Sequence, residues 1–382
     1  MPPIVTRAAV AGFLAAALPA TAGAEPRFLS KQYTRCSSCH FSPTGGGLLT
    51  PYGRSLSHRE LSTFFEPAPP GGAAEPSPRG EEAFLWGALG DRLEPVHLGI
   101  ELRPSHLELA VAGFESDRNI LMTADLIGAF RRDEWTVYGQ VGRQPAVPGA
   151  SAKFDSYEYW VARQPERGWG FRVGRYLPAY GIRFADHTAY NRSLLGFEQY
   201  DQIFGVEVSQ AADRYLLQVS LSPGLAEAII DDDGRRAFTA SGRLQIDLTP
   251  RTALVASGIF RDGSRVEARS GSGGVALGFA PISRLTLWNQ LDARFREHAP
   301  DGTTYVFVNE TAFEAFRGVW LKLSPQFRSD GGITTPGLTR WVVGADFLPR
   351  THWNVNLAYY RDRDRRNDIV SKTVLLQLHL YI

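Results

Sequence analysis

The sequence predicts an all-β fold, a large antiparallel transmembrane β-barrel of about 16–18 strands, preceded by a short helical N-terminal segment that plugs the lumen. Three observations predict it: an export signal in a chain without a spanning helix, period-two alternation of apolar and polar residues, and connections that alternate between tight and long. Composition adds little. Lys and Arg total 41 against 40 Asp and Glu, a net charge of +1, which gives no electrostatic reason to expect a nucleic-acid partner.

The export signal comes first. Arg7 precedes an apolar run from Ala8 to Ala20, and Ala22-Gly23-Ala24 has the small-x-small form of a signal-peptidase site. The expected mature N-terminus is Glu25. The apolar run falls short of the roughly 20 residues that a spanning helix needs, and no later segment reaches that length.

The strands follow. In Phe238 to Thr249, Ala240, Gly242, Leu244, Ile246 and Leu248 alternate with Thr239, Ser241, Arg243, Gln245 and Asp247. Leu285 to Phe295 and Trp353 to Tyr359 alternate in the same way. One apolar face opposite a charged one marks a half-buried strand. A single such strand would suit a sandwich equally well, so the connections decide. Reading back from the C-terminus, residues 361–372 are long and Leu348 to Thr351 tight. Residues 328–339 are long and Phe316 to Val319 tight. Residues 261–272 are long and Leu248 to Arg251 tight. Residues 223–235 are long, Gln210 to Arg214 tight, and 178–202 the longest of all. Short periplasmic turns and longer external loops are the rule for outer-membrane barrels. Eighteen strands result if Ala83 to Gly90 is the first. With the apolar register facing lipid, the lumen receives Glu101, Arg103, Arg243, Asp247, Asp292, Arg294, Arg296, Lys322 and His352. The final strand, Thr373 to Ile382, resembles the C-terminal recognition strand of outer-membrane proteins, although it ends in Tyr381-Ile382 where Phe is usual.

The N-terminal segment carries the chemistry. The only two cysteines stand in Cys36-Ser37-Ser38-Cys39-His40. A disulfide is the plain expectation for two cysteines in an exported chain, but so small a loop would constrain little. C-x-x-C-H is the attachment motif of c-type haem: two thiols at the spacing of the vinyl groups, then a histidine beneath the iron. A zinc site would need a second ligand pair, and a redox C-x-x-C would sit in a βαβ setting that is missing here. One covalently bound haem c is therefore expected on Cys36, Cys39 and His40. Downstream, Thr50-Pro51 reads as an N-cap followed by Pro at the first helical position, opening a helix to about Phe65. Its face with His58, Leu61 and Phe65 makes His58 the candidate sixth iron ligand, or a surface histidine. Met122 is the only methionine left after cleavage and falls in a strand, so bis-histidine or five-coordinate iron is expected. Other histidines, His97 among them, would come from the barrel wall. Arg54 is a candidate partner for a haem propionate, or an exposed arginine.

The expected organisation is a signal peptide (1–24), a monohaem segment (25–65), a Pro/Gly/Ala-rich linker (66–80) and the barrel (81–382). So short a haem segment makes a poor core alone, which is why it is expected inside the lumen.

C-x-x-C-H followed by Leu49-Thr50-Pro51-Tyr52-Gly53-Arg54 and then a barrel in the same chain resembles the fused monohaem cytochrome–porin family of the outer membrane. Arg172 to Thr188 is similar to strands of phosphate-selective porin-like proteins. The resemblance implies haem on Cys36, Cys39 and His40. It also implies electron transfer across the outer membrane between a periplasmic cytochrome or other carrier and an extracellular donor or acceptor, Fe(II) being one. No catalytic side chain is assigned. The alternative is a solute porin whose haem is structural or a redox gate. Asp231-Asp232-Asp233, in an external loop, would suit a divalent cation or simply be solvated.

Overall fold

The computed structural model describes residues 26–64, 84–88, 94–143, 154–195, 197, 201–223, 238–262, 269–297, 302–332 and 337–382. The expected signal peptide, the linker and Asp231 to Asp233 lie outside them. The strands are β1 (Val96–Val111), β2 (Phe114–Arg132), β3 (Trp135–Arg143), β4 (Phe154–Arg163), β5 (Gly168–Tyr176), β6 (Ile203–Ala211), β7 (Tyr215–Ser222) and β8 (Thr239–Thr249). They continue as β9 (Thr252–Arg261), β10 (Ser270–Ile282), β11 (Leu285–Arg296), β12 (Thr304–Phe316), β13 (Val319–Asp330), β14 (Leu338–Phe347), β15 (Trp353–Asp364) and β16 (Ile369–Tyr381). Each pairs antiparallel with its neighbours in sequence, and β16 closes onto β1 with Leu107 opposite Leu375 and Glu101 opposite Tyr381. Closure leaves no sheet edge unpaired, the condition for crossing a bilayer with strands.

The count is sixteen, the lower end of the expected range. The extra pair required Ala83 to Gly90 as a strand. Phe84–Gly87 is instead a tight helical turn with Leu85 and Trp86 at positive φ, and the barrel begins at Val96. Alternation holds. Leu126, Val137, Val275, Leu321 and Val343 are exposed on the outer face, and Ser220, Gln245, Gln290, Asp292 and Gln326 are buried on the inner one. Trp135, Trp169 and Phe316 stand near the tight-turn rim, while Phe260, Phe295 and Trp341 stand near the other. Aromatic girdles at both rims are what a bilayer's two interfaces select.

The external connections are cut short at two places, one of them the expected long loop at 361–372. β15 and β16 stay paired up to Asp364 opposite Ile369, so the long polar run shrinks to 365–368. β1 and β2 meet across Ala112 and Gly113 alone, both at positive φ. In each case backbone pairing continues into polar sequence, because a ladder needs only main-chain groups.

Two pieces of chain fill the lumen. Residues 26–64 enter at the tight-turn rim. Thr63 N donates to Leu348 O at 2.9 Å, Arg35 Nη2 to Ala212 O at 2.6 Å, and Ser57 and Tyr381 hydroxyls meet at 2.9 Å. From the opposite rim, the β5–β6 connection folds inward. Tyr180 donates to Asp292 at 2.9 Å, Ile182 N to Gln290 Oε1 at 2.8 Å, and Tyr190 N to Gln326 Oε1 at 3.0 Å. Its short helix α2 (Tyr190–Leu195) buries Tyr190, Asn191, Arg192 and Leu195. The two inserts meet where the Arg183 guanidinium donates to Gly45 O and where Leu29 packs with Leu177, Tyr180, Phe184 and Phe197.

Candidate functional site

The N-terminal segment is organised by its own backbone. Cys36–Ser38 forms one tight helical turn, and His40 N donates to Cys36 O at 3.0 Å. The chain then turns on Gly45, Gly46 and Gly47, all at positive φ, and returns antiparallel with Phe41 N bonded to Leu48 O at 3.1 Å. Gly47 is obligatory for a second reason: a Cβ there would lie 2.2 Å from the Tyr138 hydroxyl of β3. Helix α1 (Pro51–Leu56) starts as expected, with Thr50 Oγ1 accepting from Gly53 N at 3.1 Å. It continues through one wider turn at Ser57–Leu61 and stops at Ser62, short of Phe65. Gly53 sits against the C-x-x-C turn, where an added Cβ would meet Cys39 O at 2.3 Å.

This arrangement delivers Cys39 and His40 to a cavity of about 700 Å³ between the N-terminal segment, the in-folded loop and the lumenal wall. A smaller cavity of about 80 Å³ reaches Cys36, Cys39 and His40 from the side of Tyr180, Arg183 and Arg243. Cys36 and Cys39 are free thiols. Burial raises both, Cys39 to about 12 with Cys36 beside it adding to the rise. Burial also lowers His40 to about 4, with Arg183 acting in the same direction. Burial thus favours the uncharged form of all three groups. His40 Nδ1 is buried without a hydrogen-bond partner.

The other candidate residues have contacts of their own. His58 is buried beneath the wider turn and does not line the cavity. Arg54 donates to Leu98 O on β1. His97 packs its ring on Phe41 at 5.0 Å. Met122 lines the cavity, but its sulphur accepts from Gln377 Nε2 at 2.9 Å. Several of the expected lumenal charges hold the inserts. Asp247 pairs with Arg35 at 3.1 Å, and Arg243 Nε donates to Gly181 O at 3.0 Å. Arg294 donates to Leu194 O. Sequence reasoning missed the in-folded loop and with it His187, which lines the same cavity as His40. A signal was present: Leu177, Ile182, Phe184, Leu194, Leu195 and Phe197 are too apolar for a solvated external loop.

Among solved structures, the chain is similar to OprB of Pseudomonas putida at a TM-score of 0.61 and 7% identity, over 81% of this chain and 100% of that one. It is similar to OmpF of Salmonella typhi at 0.58 and 9%, over 75% and 97%. The anion-selective porin of Comamonas acidovorans gives 0.57 and 11%, over 75% and 99%. The fold is that of an outer-membrane porin. No family model and no curated protein matches the sequence.

Proposed function

We propose that this chain is an outer-membrane cytochrome–porin fusion. Cys36 and Cys39 hold one haem c covalently, His40 ligates its iron, and the protein passes electrons between a periplasmic carrier and an extracellular donor or acceptor, Fe(II) among the candidates. The observation that carries this reading is the position of C-x-x-C-H: inside a doubly filled lumen, on the wall of a cavity within the roughly 300–1,000 Å³ range of cofactor sites. The residues fit the group. Cys39 and His40 line that space, Cys36 lines the smaller cavity beside it, and both thiols are reduced.

A haem c supplies a one-electron couple whose potential follows its axial ligands and the dryness of its surroundings. The chain's own residues supply position and dryness. Arg27 and Lys322 both pair with Asp346 and fix the start of the segment to the wall. Thr63 and Arg35 anchor its far end and its middle to the tight turns. The in-folded loop covers the other side of the segment.

Mass spectrometry of the purified protein should show one haem on the peptide containing Cys36 and Cys39. In liposomes, an impermeant donor outside should reduce an acceptor inside. Cysteines recovered as a disulfide, with no haem, would overturn the proposal. The likeness to porins favours a second reading, a solute channel with a structural or gating haem. Solute flux without electron transfer in the same liposomes would establish it.

A further inference from the structure

His187 has no part in holding the in-folded loop. It is 4% exposed, both of its ring nitrogens are buried without a hydrogen-bond partner, and it lines the cavity that Cys39 and His40 line. Its neighbours are all engaged: Asp186 Oδ1 accepts from Thr188 N at 2.8 Å, and Thr188 O accepts from Arg340 Nη1 at 2.7 Å. A buried core histidine normally finds at least one partner, because an unmade hydrogen bond costs the desolvation of the group. Burial and the cations Arg192, Arg103 and Arg340 push its pKa well below the usual histidine range. A neutral imidazole is the commonest metal ligand among side chains. Asp186 Oδ2, one residue away, is a buried acceptor without a partner, the kind of group that orients a ligating histidine through its second nitrogen.

We propose that His187 is the sixth ligand of the iron that His40 ligates, so that the external loop closes the coordination sphere; this rests on the haem reading above. The competing donors are engaged or elsewhere. His379 Nε2 lies 3.3 Å from Glu101, and Met122 Sδ is bonded to Gln377. His352 Nδ1 is 2.6 Å from Tyr381 O, and His58 lies off the cavity wall. His187 stands apart from the C-x-x-C-H segment in sequence and on an element that enters from the opposite rim. Electronic contact from the outer side of the membrane would then run along the loop to the iron itself.

The test is the visible and electron paramagnetic resonance spectrum of the full-length protein and of His187→Ala, His187→Met and His58→Ala, with barrel folding checked by heat-modifiable gel mobility. The wild type should be low-spin with two imidazole ligands. His187→Ala should become high-spin and return to low-spin on adding imidazole. His187→Met should show the thioether-to-iron charge-transfer band, and His58→Ala should match the wild type. A covalent haem that is high-spin in the wild type, or stays bis-imidazole in folded His187→Ala or His187→Met, overturns this inference alone. A high-spin His58→Ala does the same. A wild-type chain with no haem overturns the proposed function and this inference together.

Discussion

Asp346 of β14 receives two cations from distant parts of the chain, Arg27 of the N-terminal segment and Lys322 of β13 at 2.7 Å. Asn356 of β15 adds a hydrogen bond at 2.6 Å. Both the carboxylate and Arg27 are almost wholly buried, and removing one partner of a buried pair costs about 3–5 kcal/mol. Asp346→Ala should therefore loosen the segment and leave the barrel formed. Limited proteolysis should cut within residues 26–64 many times faster than in the wild type, with heat-modifiable mobility retained. Equal cutting rates would show that the pair does not hold the segment. Gly53→Ala acts at the other end of the site. Its Cβ would press on Cys39 O, and overpacking of this kind costs about 1–3 kcal/mol. Haem content per polypeptide should fall, and a normal content would mean that the C-x-x-C turn yields easily. At this scale the sequence was informative where local spacing sets the outcome, as in the cap at Thr50. His187 was illegible because its environment is made by a loop folding back through a barrel, which no local pattern records.

Among the elements, the β5–β6 connection is the one whose role had to be seen in three dimensions. Length marked it, but its inward course depends on acceptors supplied by β11 and β13. Gln290 Oε1 takes both Ile182 N and Asn191 Nδ2, the latter at 3.2 Å. Replacing 181–196 with a short Gly/Ser connection should raise single-channel conductance several-fold in planar bilayers. Unchanged conductance would mean that the N-terminal segment alone closes the pore. The strands were legible because a two-sided environment writes a period of two into each of them, as in Thr239–Thr249. Their ends were not. The charged sequence Arg361 to Asp364 reads as loop, yet it pairs residue for residue with Ile369 to Lys372. Phe84–Gly87 carries strand-like apolar residues but has no partner edge once β1 and β16 have joined.

For the whole molecule, the tight turns and the N-terminal segment share one rim, and the in-folded loop descends from the other. With periplasmic turns short, the segment is expected at the periplasmic end. A tag inserted after Asn367 should be reached by antibody on whole cells, and one after Asp133 only after permeabilisation. The reverse pattern would invert the molecule in the membrane. The closing seam has a consequence in time. The segment is tied across it, Arg54 to Leu98 O on β1 and Ser57 to Tyr381 on β16, while Cys36 and Cys39 lie on inner cavity walls. Once the segment is seated in the lumen, a protein-sized catalyst is kept from those sulphurs. Whatever is joined to them must be joined before the segment seats. Biogenesis therefore has an order, thiol chemistry first and the plug second, and a chain whose segment seats early is sealed in its unmodified form.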